Sequence, residues 1–460
     1  MQLRWIFGAI ILSAGCSMMG LGTSSSKTWQ APLGQLETLP NGLMVRWIKD
    51  NKLPRVSMQL AIRAGALYET ADESGLHSLT ASMLGESTTK HKTEELQTLL
   101  ESAGVDFSSR AGDDFVLVKS SALSAQKGRM LELFTEILYD SAFEEKDFER
   151  KKQNLLVQLS RMLDQPSNVL SLALQKATFG DHPYGRLSAG QPKSVTSFNH
   201  KQAYRIYRLY YRPERAYLIV AGDFDESFQQ TVRKELSKWE SKAGELAQPA
   251  QVQTQAVKRL VYHKDGLEQT QVGWSQILVP RSHPDYLSLR LANMAFGGAF
   301  ASRLNQRIRD DLGLTYSIHS SVDFFAQSGS FEIQTFTRHE KIKELVQEVQ
   351  KEYEKWLAQG ISEEELAAAK SVLVGQFPSA LETVDHIAYN LLALWVFGVN
   401  ESYLTEFRSR VDALSLSEVN QVIQRHFGKD SLNMVIYTDF KKNQKALKSL
   451  GFDKPMSWEW

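Results

Sequence analysis

Cysteine is almost missing from this 460-residue chain, and Cys16 is the only one. A body without further cysteines cannot be held by a disulfide framework and fits any redox compartment. An excess of charge is missing as well, because Lys+Arg and Asp+Glu both number 53. No bulk charge draws the chain toward an anionic surface, and no nucleic-acid partner is expected. After the first twenty residues no apolar run is long enough to span a bilayer. What is present is the mixture of an ordinary globular protein, 42% hydrophobic and 23% charged. A chain of this length exceeds one compact core and predicts two domains of about 200 residues each.

The N-terminus differs from the rest. Met1 to Arg4 is a short basic start, and Trp5 to Gly15 is an apolar run of signal-peptide length. It ends in Leu12-Ser13-Ala14-Gly15-Cys16, which resembles a bacterial lipoprotein cleavage box with Ser13 in a place usually held by a branched apolar residue. Cys16 stands where the lipidated residue would stand. Residues 1–16 are therefore read as a lipoprotein-like signal, and 17–34, rich in Gly, Ser and Thr up to Lys27, as a tether. Ser17 follows the cysteine with no Asp beside it. By resemblance to enterobacterial lipoproteins, this implies a lipid anchor in the outer membrane, facing the periplasm. The alternative is a simple cleaved signal.

Polar sequence over 241–257 has linker composition and divides an N-terminal domain, 35–240, from a C-terminal one, 258–452. Each half reads as strands, helices, strands and long helices, closing on one apolar strand. The closing strands, Ala216 to Phe224 and Leu432 to Phe440, match at an offset of 216 and both end in Asp-Phe. Helices precede them at the same offset, Gln202 to Tyr211 and Glu418 to Phe427. Register kept without a gap predicts an internal duplication. The fold class expected is α+β, with two homologous domains, each a mostly antiparallel sheet covered by helices.

Several segments carry a family pattern. Asn41-Gly-Leu-Met-Val-Arg46 opens a strand, Val56 to Gly65 forms the next, and a helix begins after Gly75-Leu76 and runs through Met83-Leu84. Further on come Phe179-Gly-Asp-His-Pro-Tyr-Gly185, Gly297-Gly298, Ser302-Arg303-Leu304 and Gly313-Leu-Thr-Tyr-Ser317. In order and spacing the chain resembles the insulinase, pitrilysin and mitochondrial-processing-peptidase family over about residues 35 to 450. In that family the helix after the second strand carries His-x-x-Glu-His. Two imidazoles four apart share one helix face and hold zinc, and the Glu takes a proton from the metal-bound water. A distant Glu completes the ligands.

Aligned on Gly75-Leu76 and Met83-Leu84, the positions of His, Glu and His hold Ser78, Ala81 and Ser82, and the distant Glu position holds Gln158. Hydroxyls and an amide are poor zinc ligands, and Ala81 cannot act as a base. None of the ten histidines has another four residues away. His77, one residue before the first ligand position, has Thr80 and Ala81 at i+3 and i+4 and is read as a helix-turn histidine. His182 is read as structural. The expectation is that this chain binds no zinc and does not cut peptides alone.

Arg303 to Leu312 predicts an amphipathic helix with Leu304, Ile308 and Leu312 on one face, ended by Gly313, and a strand beginning at Leu314. Arg309 and Tyr316 stand seven apart across this turn. The resemblance implies that such a pair binds the peptide near its scissile carbonyl. The structural alternative is a dipole-complementing Arg and a core Tyr. In a subset of the family one short chain carries the zinc motif and the other carries this pair. The resemblance therefore implies a non-catalytic partner subunit, with a zinc-bearing sister chain and a peptide in the shared chamber as its partners. The strand near Gly104 to Arg110 is a candidate for pairing with that peptide. A structural or peptide-binding scaffold remains open, as does an active enzyme with a relocated metal.

Overall fold

The computed structural model describes residues 32–241 and 244–457. The signal-like stretch, Cys16 and the tether as far as residue 31 lie outside the described residues.

Two sheets organise the chain. The first contains β1 (Gln35–Thr38), β2 (Met44–Lys49), β3 (Arg55–Ile62), β4 (Asp106–Ala111), β5 (Val116–Leu123) and β6 (Ala216–Gly222) in the order β1-β2-β6-β3-β5-β4. The second contains β7 (Arg259–His263), β8 (Gln269–Leu278), β9 (Ile318–Phe324), β10 (Gly329–Arg338) and β11 (Asn433–Thr438) in the order β7-β11-β8-β10-β9. Apart from β1, the two orders are the same. Each sheet has a single parallel pair at the equivalent place, β2 with β6 and β7 with β11, and is otherwise antiparallel. The repeat expected from the sequence offset is thus a repeat of topology.

Six helices matter for the site: α1 (Leu76–Met83), α2 (Glu145–Leu163), α3 (Pro166–Phe179), α4 (His200–Tyr210), α5 (Val384–Val396) and α6 (Leu416–His426). The helices α4 and α6 are the two expected at an offset of 216, each beginning two residues earlier than the apolar pattern suggested. Both starts have a capping side chain. Asn199 accepts from the Lys201 and Gln202 amides, and Ser415 accepts from the Glu418 amide.

Packing crosses between the halves. Helix α3 belongs to the first half by sequence but lies on β8 and β11 of the second sheet. Helix α5 belongs to the second half and lies on β3 and β6 of the first. Along β3, Val56, Met58, Leu60 and Ile62 face the first half's core, while Ala61 joins the second-half cluster. Both faces of the strand are therefore covered, which accounts for its nearly continuous burial. Polar contacts fix the exchange: the Thr178 hydroxyl donates to Ser275 at 2.7 Å, and Gln59 Nε2 donates to the Asp385 carbonyl at 3.0 Å. Asp385 also accepts from the Ser57 hydroxyl, and Arg46 joins Tyr217 and Glu401 across the same boundary.

Two local expectations change. The helix over Arg303 to Leu312 is present, but from Asn305 to Asp311 it has the wider π-type turn, as in the Leu312 amide bonded to the Arg307 carbonyl. Leu304 and Ile308 are buried as the pattern required, whereas Leu312 is half-buried. The following strand starts at Ile318, not Leu314. Thr315 hydrogen-bonds both the amide and the carbonyl of Ser317, holding 314–317 as a turn.

Candidate functional site

Helix α1 begins where the backbone is crowded. Gly75 has φ +94°, and a Cβ there would meet the Ala189 carbonyl oxygen at 2.6 Å. The first amides of the helix are satisfied by Glu69, whose carboxylate accepts from Gly75 at 2.9 Å and from His77 at 2.7 Å. Burial pushes the Glu69 carboxyl up to about 8, against the pull of these two amide bonds. Glu69 escaped the sequence reading because it precedes the helix by seven residues and belongs to no capping pattern.

Ser78 and Ser82 lie on one half-buried face of α1, while Ala81 is 0% exposed and part of the first core. The Ser82 hydroxyl donates to the Leu79 carbonyl at 2.8 Å. Gln158 is exposed on α2, which packs against α1. These side chains do not form a zinc ligand set: two hydroxyls, one methyl and one amide offer no charge and no imidazole. His77 does not replace them. Its Nδ1 accepts the Gly65 amide at 3.0 Å and its ring packs edge-on against Tyr210. Burial, with Arg215 and Arg205 nearby, lowers its pKa to about 3, so the imidazole is neutral. His182 ties a turn together, with Nδ1 accepting from Tyr184 and Nε2 at 2.9 Å from the Ala250 carbonyl.

Among the described residues, groupings that could hold a metal lie elsewhere, at His283, Asp285 and His426 and at His263, Asp265 and Asp439. Both are committed to other partners. Asp285 accepts from Arg425 at 2.6 Å, and Asp439 accepts the Gly266 amide at 3.1 Å.

The second half presents a different surface. Arg309 and Tyr316 line one open cleft of about 650 Å³ with Phe300, Asn305, Asp310 and His319. Tyr316 is 86% exposed and Phe300 is 79% exposed. The Tyr316 ring is therefore not a core residue, and the turn at 314–317 holds it outside. The Arg309 guanidinium is gripped by Asp310, Nε to Oδ1 at 2.8 Å and Nη2 to Oδ2 at 3.1 Å, and lies 4.1 Å from the Phe300 ring centroid. A guanidinium stacked on one exposed aromatic, with a second in the same cleft, has the composition of a binding hot spot. Phe300 was not singled out from the sequence. Its only signal was an aromatic residue directly after Gly297-Gly298-Ala299.

At the far end of the first sheet, β4 pairs with β5 on one side only, and among the described residues no strand pairs its outer edge.

The family described as "Insulinase (Peptidase family M16)" matches residues 45–191, and the one described as "Peptidase M16 inactive domain" matches 197–373. The chain belongs to the insulinase family and is a peptidase-like member of it. It is 24% identical over 398 residues to an uncharacterized zinc protease, YmxG, of Bacillus subtilis, covering 85% of this chain and 95% of that one. An uncharacterized zinc protease of Rickettsia bellii is 25% identical over 410 residues, 86% of this chain and 96% of the other. Among solved structures, a peptidase M16 inactive domain from Pseudomonas fluorescens superposes with a TM-score of 0.80 at 25% identity, covering 88% and 98% of the two chains. A protease from Helicobacter pylori shares the fold with a TM-score of 0.79 at 20% identity and the same coverage. The two-domain α+β insulinase-like fold expected from the sequence is the fold observed.

Proposed function

We propose that this chain is the non-catalytic subunit of a two-chain zinc peptidase, supplying Arg309 and Tyr316 to a sister chain that carries the zinc motif. One contrast supports the reading. Helix α1 holds no ligand set, while Phe300 and Tyr316 stand exposed and Arg309 lies half-buried at one cleft. A cation and a phenol at that cleft are both donors, suited to the oxygen of a peptide carbonyl as negative charge develops on it. Asp310 fixes the plane of the guanidinium and the Phe300 ring supports it, so the cation is oriented before substrate arrives. The open edge of β4 is a second recognition element, because its unpaired backbone groups can take an extended peptide as an added strand.

In this reading zinc resides in the sister chain, and no catalytic step runs through α1 of this one. Cys16 carries a lipid anchor that holds the pair at the outer membrane, facing the periplasm. The test is reconstitution. The purified chain should show no peptidase activity, and zinc-dependent cleavage should appear on mixing with a homologous chain that carries His-x-x-Glu-His. Assembly without stimulation would favour a structural or peptide-binding scaffold.

A further inference from the structure

We infer that Arg110 and Lys119 form a subsite beside the β4 edge that selects peptides with an acidic side chain. The inference rests on the reading of that edge as a peptide-binding strand. In the β4–β5 pair Ser108 faces Lys119 and Arg110 faces Leu117, which makes Arg110 and Lys119 diagonal neighbours. Alternation of side chains places Arg110 on the same face of β4 as Asp106 and Ser108. Lys119 lies on the α5 side of the sheet, with its ammonium 5.6 Å from the Tyr389 ring centroid.

A groove of about 650 Å³ lies between this face and the start of α5. Its ionic partners are nearly all settled. Asp50 pairs with Lys52 at 3.7 Å. Asp385 pairs with Arg55 at 3.8 Å and is further occupied by Ser57 and Gln59. Of the charged lining residues, Arg110, Lys119 and Glu382 are left without an ion pair among the described residues. The two cations press on each other: burial and the charge of Arg110 both lower the Lys119 pKa, and Asp385 only partly offsets them.

Charges on an edge strand commonly serve to prevent unwanted strand pairing. That accounts for Arg110 and Asp106 but not for Lys119, which is one strand inward and half-buried. Two unpaired cations held together beside an open edge leave room for an incoming carboxylate. A peptide added to β4 places every second side chain on this face, within reach of both.

The experiment measures fluorescence anisotropy of a labelled extended peptide on the full chain without any sister chain. Three versions carry Glu, Gln or Lys at the alternate positions, and a fourth Glu version is N-methylated along its backbone. The Glu peptide should bind about tenfold tighter than the Gln peptide, with the Lys peptide weakest. N-methylation should abolish binding. Arg110→Gln and Lys119→Gln should each remove most of the Glu preference while leaving the Gln peptide and the unfolding midpoint unchanged. Equal binding of the Glu and Gln peptides would overturn the inference, as would full Glu preference in both variants. Binding of none of the peptides would remove the β4-edge reading itself. The partner-subunit proposal is decided separately, by activity on mixing.

Discussion

The guanidinium of Arg309 lies over the ring of Phe300, 4.1 Å from its centroid, while its Nε and Nη2 hold the carboxylate of the next residue, Asp310. A cation on a flexible stem is thereby fixed at a surface, where an exposed ion pair alone would contribute little. The ring is the part of this support that no charge argument anticipates.

Phe300→Ala should therefore weaken the reconstituted peptidase without weakening the fold. Loss of this cation–π contact should lower kcat/KM by about a few-fold. Phe300→Tyr should retain activity. Steady-state kinetics on the mixed chains, beside thermal unfolding of this chain alone, checks both halves of the statement.

Restoring the motif meets a barrier that the alignment does not show. Ser78 and Ser82 are half-buried and should accept His, and with Gln158→Glu the triple variant should bind zinc in a chelator-competition assay. Ala81→Glu is different, because Ala81 is fully enclosed in the first core. Burying a carboxylate there should lower stability on the order of 3 kcal/mol or more. Urea unfolding of the single and combined variants tests this.

Stability should form a plateau in pH set by two neighbouring groups. His77 has its pKa lowered to about 3 in the fold, so its contribution is complete above its ordinary value near 6.5 and fades as pH falls toward 3. Glu69 has its pKa raised to about 8, so its contribution is complete below about 4.5 and fades as pH rises through 8. The two slopes oppose each other between about 4.5 and 6.5, leaving acid and alkaline arms on either side. Urea midpoints measured from pH 3.5 to 8 should follow this shape, and Glu69→Gln should flatten the alkaline arm.

Asp385 should prove a joint between the halves. Asp385→Ala removes the carboxylate shared by Ser57, Gln59 and Arg55, all on β3, and leaves the Ser57 hydroxyl without its acceptor, while Gln59 keeps only the backbone carbonyl of residue 385. A loss of about 1–3 kcal/mol is expected. Equilibrium unfolding monitored by tryptophan fluorescence and by circular dichroism should show a lower midpoint by both probes.

Much of this was legible from residue order. The offset of 216 located α4, α6, β6 and β11, because apolar period and capping residues are local properties. The helix that carries Ser78, Ala81 and Ser82 lies where the sequence placed it, but those positions and Gln158 were singled out only through the family resemblance. The crossed helices were not. Val169, Leu170, Ala173 and Leu174 announce an apolar face on α3, but nothing in that stripe says which sheet it covers. Nor did Leu314-Thr-Tyr-Ser reveal that Thr315 would close a turn on Ser317 and hold Tyr316 in solvent. Phe300 and Glu69 escaped because each acts on a residue that no short motif links to it.

The most direct measurement is the turnover of the reconstituted pair with Arg309→Ala and Tyr316→Phe in this chain. Loss of a donor that stabilises developing charge should lower kcat by about a hundredfold while the two chains still co-elute. Unchanged turnover in an intact assembly would contradict the account, as would zinc-dependent cleavage by this chain alone.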